Sequence, residues 1–382
     1  MILAASLDRT SDFAIADLRR QARQMPLYLV DRVCHENPIV RSSHARIDTI
    51  RRTLLDHNNV RELWRDSDIY YPIFTLFEAG DDASAVDLLL RRLEIQLGIR
   101  PLSGLRTLPP ATYRLLSLTG QVWAANAHSV LPLHNVSTRV PGCAATVYLP
   151  RPGLFHDVLP VERYPEAAAD NARDDVLVAK LTAACEMLAE LEPDVYADLQ
   201  DLISTIVLTP SGHQAACFDS FRQTWSYNLR LRYFGGIFID AAHVDAFAVA
   251  EGVMHEYLHQ RLWQWWELEH PDGLPPPQAT LTSPMTGVVR PTYVMVQALL
   301  IYVAVHALHA RALSRGRHYP VTPWVHARVA HLTDGIPRLL TALRAVVPRG
   351  STTDLLLDVG SDIFDAHQAA HDTCARDVRR EA

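Results

Sequence analysis

The chain has 382 residues, nearly half of them apolar, so it can bury a sizeable core in one large domain or two ordinary ones. Charged residues make up 21% and the formal net charge is −7. That balance gives no electrostatic reason to expect nucleic acid or an anionic membrane surface as a partner.

The five cysteines, Cys34, Cys143, Cys185, Cys217 and Cys374, are scattered and never form a C-x-x-C pair. The spacing argues against a thiolate zinc site and against a disulfide framework, and it suits a reducing compartment. The opening run MILAASLDRTSDFAIADL puts Asp8 and Asp12 where a signal peptide needs unbroken apolar residues. The most apolar stretch, Val294 to Ala307, is about 14 residues, short of the ~20 that span a bilayer. The expectation is a soluble, cytoplasmic protein.

In chain order, residues 11–98 read as mostly helical, with Ala83 to Leu97 carrying apolar residues at 3–4 spacing and Arg91, Arg92 and Glu94 on the polar side. Residues 100–150 change character: prolines punctuate short Val-, Thr- and Leu-rich runs, which predicts strands and loops. Helices are expected again from Asp174 to Leu191 and from Pro193 to about Ile206. The segment Trp225 to Asp240 (WSYNLRLRYFGGIFID) alternates as a half-buried strand that Gly235-Gly236 bends into a second one. A long helix is expected from Asp245 to Trp266, then a Pro-rich loop, an apolar helix from Tyr293 to Ala312, and two further helices. The pattern predicts a mainly α fold with a small β component (α+β), in which a strand leads into a motif helix in the zincin-like order. The Pro-rich stretch near 150–170 is the best boundary, dividing region 1–165 from a metal-binding region 166–382. One continuous domain is the alternative.

The motif is H-E-x-x-H, within AVAEGVMHEYLHQRLWQW: His255, Glu256 and His259. Residues four apart share a helix face and stand about 6 Å apart along the axis, so both imidazoles can reach one divalent ion. Glu256 is placed to polarise a metal-bound water or to hydrogen-bond a bound oxygen. The third ligand decides the chemistry. After His259 the only glutamates are Glu267 and Glu269, too soon for a second helix to return, and Glu381, at the terminus. The longer pattern H-E-x-x-H-x-x-G-x-x-H fails as well, because Leu262 and Trp265 occupy its Gly and His positions. Both common protease architectures thus lack their third ligand.

Downstream, His306 sits among Val303, Ala304, Val305 and Ala307, where an imidazole needs a partner or a metal. A core histidine bonded to a carbonyl is the bland alternative, and Tyr302, one turn earlier, is a rival that could face the metal. Arg290, just before the apolar helix, suits a bidentate hold on a co-substrate carboxylate, unless it is a plain surface arginine. Arg232 and Arg230, on the strand before the motif, are rivals for that role.

The run from about residue 174 to 312 resembles the H-E-x-x-H peptide-modification proteins of natural-product gene clusters, the 2-oxoglutarate-dependent peptide β-hydroxylases. The match is carried by the helical pair around Leu181 to Ile206, by the strand NLRLRYFGGIFID, and by Ala250, Glu251, His255, Glu256, His259 and Leu262 of the motif helix. SPMTGVVRPTYVMVQALLIYVAV adds the loop, the Arg-Pro pair and the apolar helix, with Pro284, Arg290, Pro291 and Gln297. It departs at Tyr302, where many relatives have a histidine, and at Met285, where a tryptophan is frequent. The resemblance implies an iron(II), 2-oxoglutarate-dependent enzyme that hydroxylates the β-carbon of an amino-acid side chain in a peptide or carrier-bound substrate. In that scheme His255 and His259 are ligands, joined by His306 or the Tyr302 region. Glu256 is an acid–base group, and Arg290 or Arg232 holds the co-substrate. A zinc peptidase or amidase with an atypical third ligand is the competing reading, and a non-catalytic peptide-binding partner protein is the third.

Overall fold

The computed structural model describes residues 24–57, 67–100, 114–116, 121–124, 129–132, 137–149, 171–209, 226–227, 235–240, 245–269, 280–315 and 322–381. At the N-terminal side, prolines and short polar caps set the helix starts. α1 (Met25–Glu36) opens with a proline, and α2 (Pro38–Ser42) is capped by Asn37, whose side chain accepts from the Ile39 and Val40 amides at 3.0 and 3.2 Å. α3 (His44–His57) and α4 (Ser67–Glu78) follow. Asp82 caps α5 (Ala83–Gln96), accepting from Ser84 and Ala85. These helices pack on one another through Leu29, Val33, Ile50, Ile73 and Leu90.

A small antiparallel meander comes next: β1 (Arg114–Leu116), β2 (Gln121–Ala124) and β3 (Ser129–Pro132). The main sheet combines β4 (Ser137–Thr138), β5 (Thr146–Tyr148), β6 (Thr205–Thr209), β7 (Ser226–Tyr227) and β8 (Gly236–Asp240) in the order β4-β5-β6-β8-β7. β5, β6 and β8 run parallel, while β4 and β7 are antiparallel edges. The crossover from β5 to β6 is made by α6 (Asn171–Leu191) and α7 (Pro193–Leu202). The helix expected to reach Ile206 therefore ends early. The apolar run Ile206 to Leu208 is buried on both faces in a central parallel strand, and a run without alternation hides that identity.

The strand-rich residues before 150 are thus split between two sheets, and β4 and β5 pair into the same sheet as β6 and β8. The boundary expected near residue 165 falls inside the β5-to-β6 crossover, so the main sheet spans it.

Beyond β8 lies α8 (Ala246–Glu269), then a hairpin of β9 (Thr280–Thr282) and β10 (Val289–Pro291) that sequence reading took for loop. α9 (Thr292–Ser314), α10 (Pro323–Arg344) and α11 (Thr352–Glu381) complete the chain. α8 packs between α6 and α9, and α9 is flanked by α8, α10 and α11. α9 is longer than the apolar run suggested. By length and composition it could cross a membrane, with a mean hydropathy of 1.6 in its most apolar window, yet 78% of that window is buried inside the protein. It is a core helix. The mainly α architecture with a small β component is as expected.

Candidate metal centre

α8 is buried along most of residues 247–264, and its faces meet different neighbours. Asp245 starts it, accepting from the Phe247 amide at 2.8 Å and from the Thr322 hydroxyl at the start of α10. Gln260 ties it to the preceding strand: its Oε1 accepts from the Gly235 amide at 3.1 Å, and its Nε2 donates to the Gly236 carbonyl at 3.2 Å. Gly235 has φ +81°, a left-handed turn that a side chain would strain. On another face Arg261 grips Asp198 of α7 with Nε at 2.8 Å and a terminal nitrogen at 2.5 Å, and the Tyr257 hydroxyl donates to the same carboxylate. Burial and the Asp198 charge together raise the Tyr257 phenol well above its ordinary range.

The remaining face carries the motif. His255 Nε2 and His259 Nε2 stand 3.1 Å apart, with rings tilted at 67°. Two imidazole nitrogens at that separation, each about 2.0–2.1 Å from a shared ion, subtend about 95–100°, between octahedral and tetrahedral values. The pair therefore fits one ion. Burial lowers the His255 pKa to about 4, with Glu251 drawing it back up and Arg328 pushing it down. Burial also holds His259 well below the usual histidine range, reinforced by His255. Both rings are neutral at neutral pH, which is the form that ligates metal. Glu256 Oε1 lies 3.9 Å from His255 Nε2, with its side chain 2% exposed. The three residues form the one group of His, Cys, Asp or Glu ligand atoms among the described residues close enough to hold a metal, all within 4.8 Å of one another.

His306 does not join them. It is fully buried, but its Nε2 meets the Thr333 hydroxyl of α10 at 3.1 Å, and its ring packs against Phe364 of α11 at 5.1 Å. Its Nε2 is thus engaged with α10, and the cluster of His, Cys, Asp and Glu ligand atoms among the described residues does not include it. Arg290 is exposed on β10, opposite Leu281 of β9, and its positive charge is felt at the Tyr302 phenol on α9. Arg232 and Arg230 lie outside the described residues.

Sequence reading missed a buried charged cluster beside the motif. Glu251, one turn before His255, receives Arg328 of α10 on both oxygens, with Nε at 2.9 Å, and meets His309 Nε2 at 2.8 Å. All three are essentially inaccessible. Burial alone would raise the Glu251 carboxyl, but Arg328 and His309 overcome it and hold the group ionised, far below the usual range. A glutamate inside the run Val249 to Val253 was the available signal, since a charge in such a stretch needs a partner. Gln297 of α9 was quoted only as part of the resemblance. It stands beside the His259 ring, close enough to influence its protonation.

No family model and no curated protein matches the chain, so the resemblance to peptide β-hydroxylases stands on the motif and its flanking segments alone.

Proposed function

We propose that this chain is a metal-dependent enzyme that hydroxylates the β-carbon of an amino-acid side chain in a peptide or carrier-bound substrate, using iron(II) and 2-oxoglutarate. The observation that carries the reading is the paired, neutral, half-buried imidazoles of His255 and His259, with no acidic third ligand beyond Glu256 among the described residues. Such a site leaves coordination positions open to a chelating co-substrate. Bound iron and 2-oxoglutarate would supply the oxidation: dioxygen delivers one oxygen atom to the side chain, and the other leaves in succinate as carbon dioxide is released.

The protein's own residues do the rest. His255 and His259 hold the ion. Glu256, buried 3.9 Å from His255 Nε2, is placed to hold or accept a proton at the ion's open side. Arg290 offers a fork for the distal carboxylate of the co-substrate, at the hairpin that leads into α9. The order of strand β8 followed by the motif helix resembles the zincin layout. β7, an edge strand among the described residues, offers backbone groups to an extended peptide. The unpaired cysteines Cys34, Cys143 and Cys185 suit a reducing cytoplasm.

Protein purified without oxygen should bind one iron(II), and adding 2-oxoglutarate should produce the weak visible absorption of a chelated keto acid. Tight zinc with no spectral response to 2-oxoglutarate would sink the hydroxylase reading. Arg290→Ala should keep the metal and raise the 2-oxoglutarate requirement about 10-fold or more, the loss of one charge-assisted contact. Unchanged dependence on limiting co-substrate would remove Arg290 from the site.

One observation favours the zinc peptidase or amidase as second reading. The buried Glu256 carboxylate lies near the ligand nitrogens, as a general base acting on a zinc-bound water must. Zinc-loaded protein that cleaves peptides, with activity lost in Glu256→Gln, would establish it.

A further inference from the structure

The structure leaves the ion two imidazoles from α8 and turns His306 away, so the side of α9 that faces the motif becomes decisive. Three contacts fix how α9 runs along α8. Trp263 stacks edge-on against Tyr293 at 6.0 Å, Gln297 stands beside His259, and His309 reaches Glu251 at 2.8 Å. The helices are antiparallel, and each turn back along α8 is a turn forward along α9. Residue 263 meets 293 and 259 meets 297, so the next turn brings the level of His255 to Ile301, with Tyr302 next to it on the stripe of α9 that carries His309 two turns later.

Ile301 is an apolar residue of the core, whereas Tyr302 carries an oxygen. Tyr302 packs partly buried against the core, and its hydroxyl makes no hydrogen bond to any described residue. The charges that reach it are those of Glu251 and Arg328, which also reach His255, and that of Arg290 on the hairpin. A phenol without a partner among the described residues, near the level of the first ligand, offers the ion an oxygen donor.

We propose that the Tyr302 phenol oxygen is the third protein ligand of the ion held by His255 and His259. On binding, the oxygen–metal bond forms and the phenol O–H breaks, its proton leaving to water, with no change of oxidation state. The resulting set of two imidazoles and one anionic oxygen is a donor set that iron and zinc both accept. The assignment rests on the metal centre and not on which reaction it performs.

The test loads metal-free full-length protein with one equivalent of ferric iron and reads the visible charge-transfer band that a phenolate gives on that ion. Wild type should show the band, and Tyr293→Phe, a tyrosine committed to Trp263, should keep it. Tyr302→Phe should lose it and bind the ion at least about 100-fold more weakly, beyond the 10–100-fold typical of outer partners. Circular dichroism of the metal-free variant, matching wild type, excludes misfolding as the cause. Iron bound by wild type without the band, or a band that survives in Tyr302→Phe, overturns the assignment. The 2-oxoglutarate absorption of the ferrous protein is read separately, so either idea can fail alone.

Discussion

Two imidazole nitrogens 3.1 Å apart cannot both carry a proton toward each other. The metal-free site therefore holds at most one proton between them. This sets the pH response of the metal-free protein. The His255 pKa of about 4 lies below the histidine value of 6.5, so between those limits the unfolded chain binds more protons than the folded one. Stability is then complete above about pH 6.5 and is lost as pH falls toward 4. A shift of 2.5 units at about 1.4 kcal/mol each amounts to on the order of 3 kcal/mol at most. Denaturant unfolding of the metal-free protein at a series of pH values should show this slope, and His255→Ala should flatten it. The same substitution, or His259→Ala, should abolish stoichiometric metal binding in a titration, because one imidazole and neighbouring oxygens do not hold a divalent ion against water.

The buried ion pair between α8 and α10 governs how the elements respond to mutation. Glu251→Gln leaves the Arg328 guanidinium buried beside an amide and should cost about 3–5 kcal/mol in chemical denaturation. Glu251→Gln combined with Arg328→Met should recover part of that loss, since the pair is then removed whole. At the hairpin, a Cβ added to Gly335 of α10 would meet Met285 Cε at 2.5 Å and its Cγ at 3.0 Å. Gly335→Ala should therefore force the Met285 side chain to move, destabilising the protein by about 1 kcal/mol, and Met285→Ala in the same chain should relieve most of it. Thermal unfolding of the two single variants and the double checks this. These contacts also mark what the sequence could disclose. α5, α8 and α9 were legible because their apolar spacing and caps are local. The motif pair was legible because i, i+4 spacing alone brings two imidazoles together. The Glu251–Arg328 pair joins residues 77 apart, and the choice between His306 and Tyr302 depends on how α9 is rotated against α8. No local pattern encodes either.

Across the whole molecule the β5-to-β6 crossover decides what can be removed. A chain begun at residue 166 lacks β4 and β5, so β6 presents a row of unpaired backbone groups along a buried edge. We expect that chain to be insoluble and one begun at residue 137 to yield more soluble protein, as size-exclusion chromatography would show. Strand pairing at long range hid this, because proline density near 150–170 looks the same whether it separates domains or serves a crossover. α9 carries a consequence of another kind. It is apolar enough to be read as a membrane span, and much of what covers it, residues 323–381 of α10 and α11, is synthesised after it. Until a ribosome has added those residues, the emerging chain carries an apolar helix of membrane-spanning length that lacks the part of its cover which α10 and α11 supply.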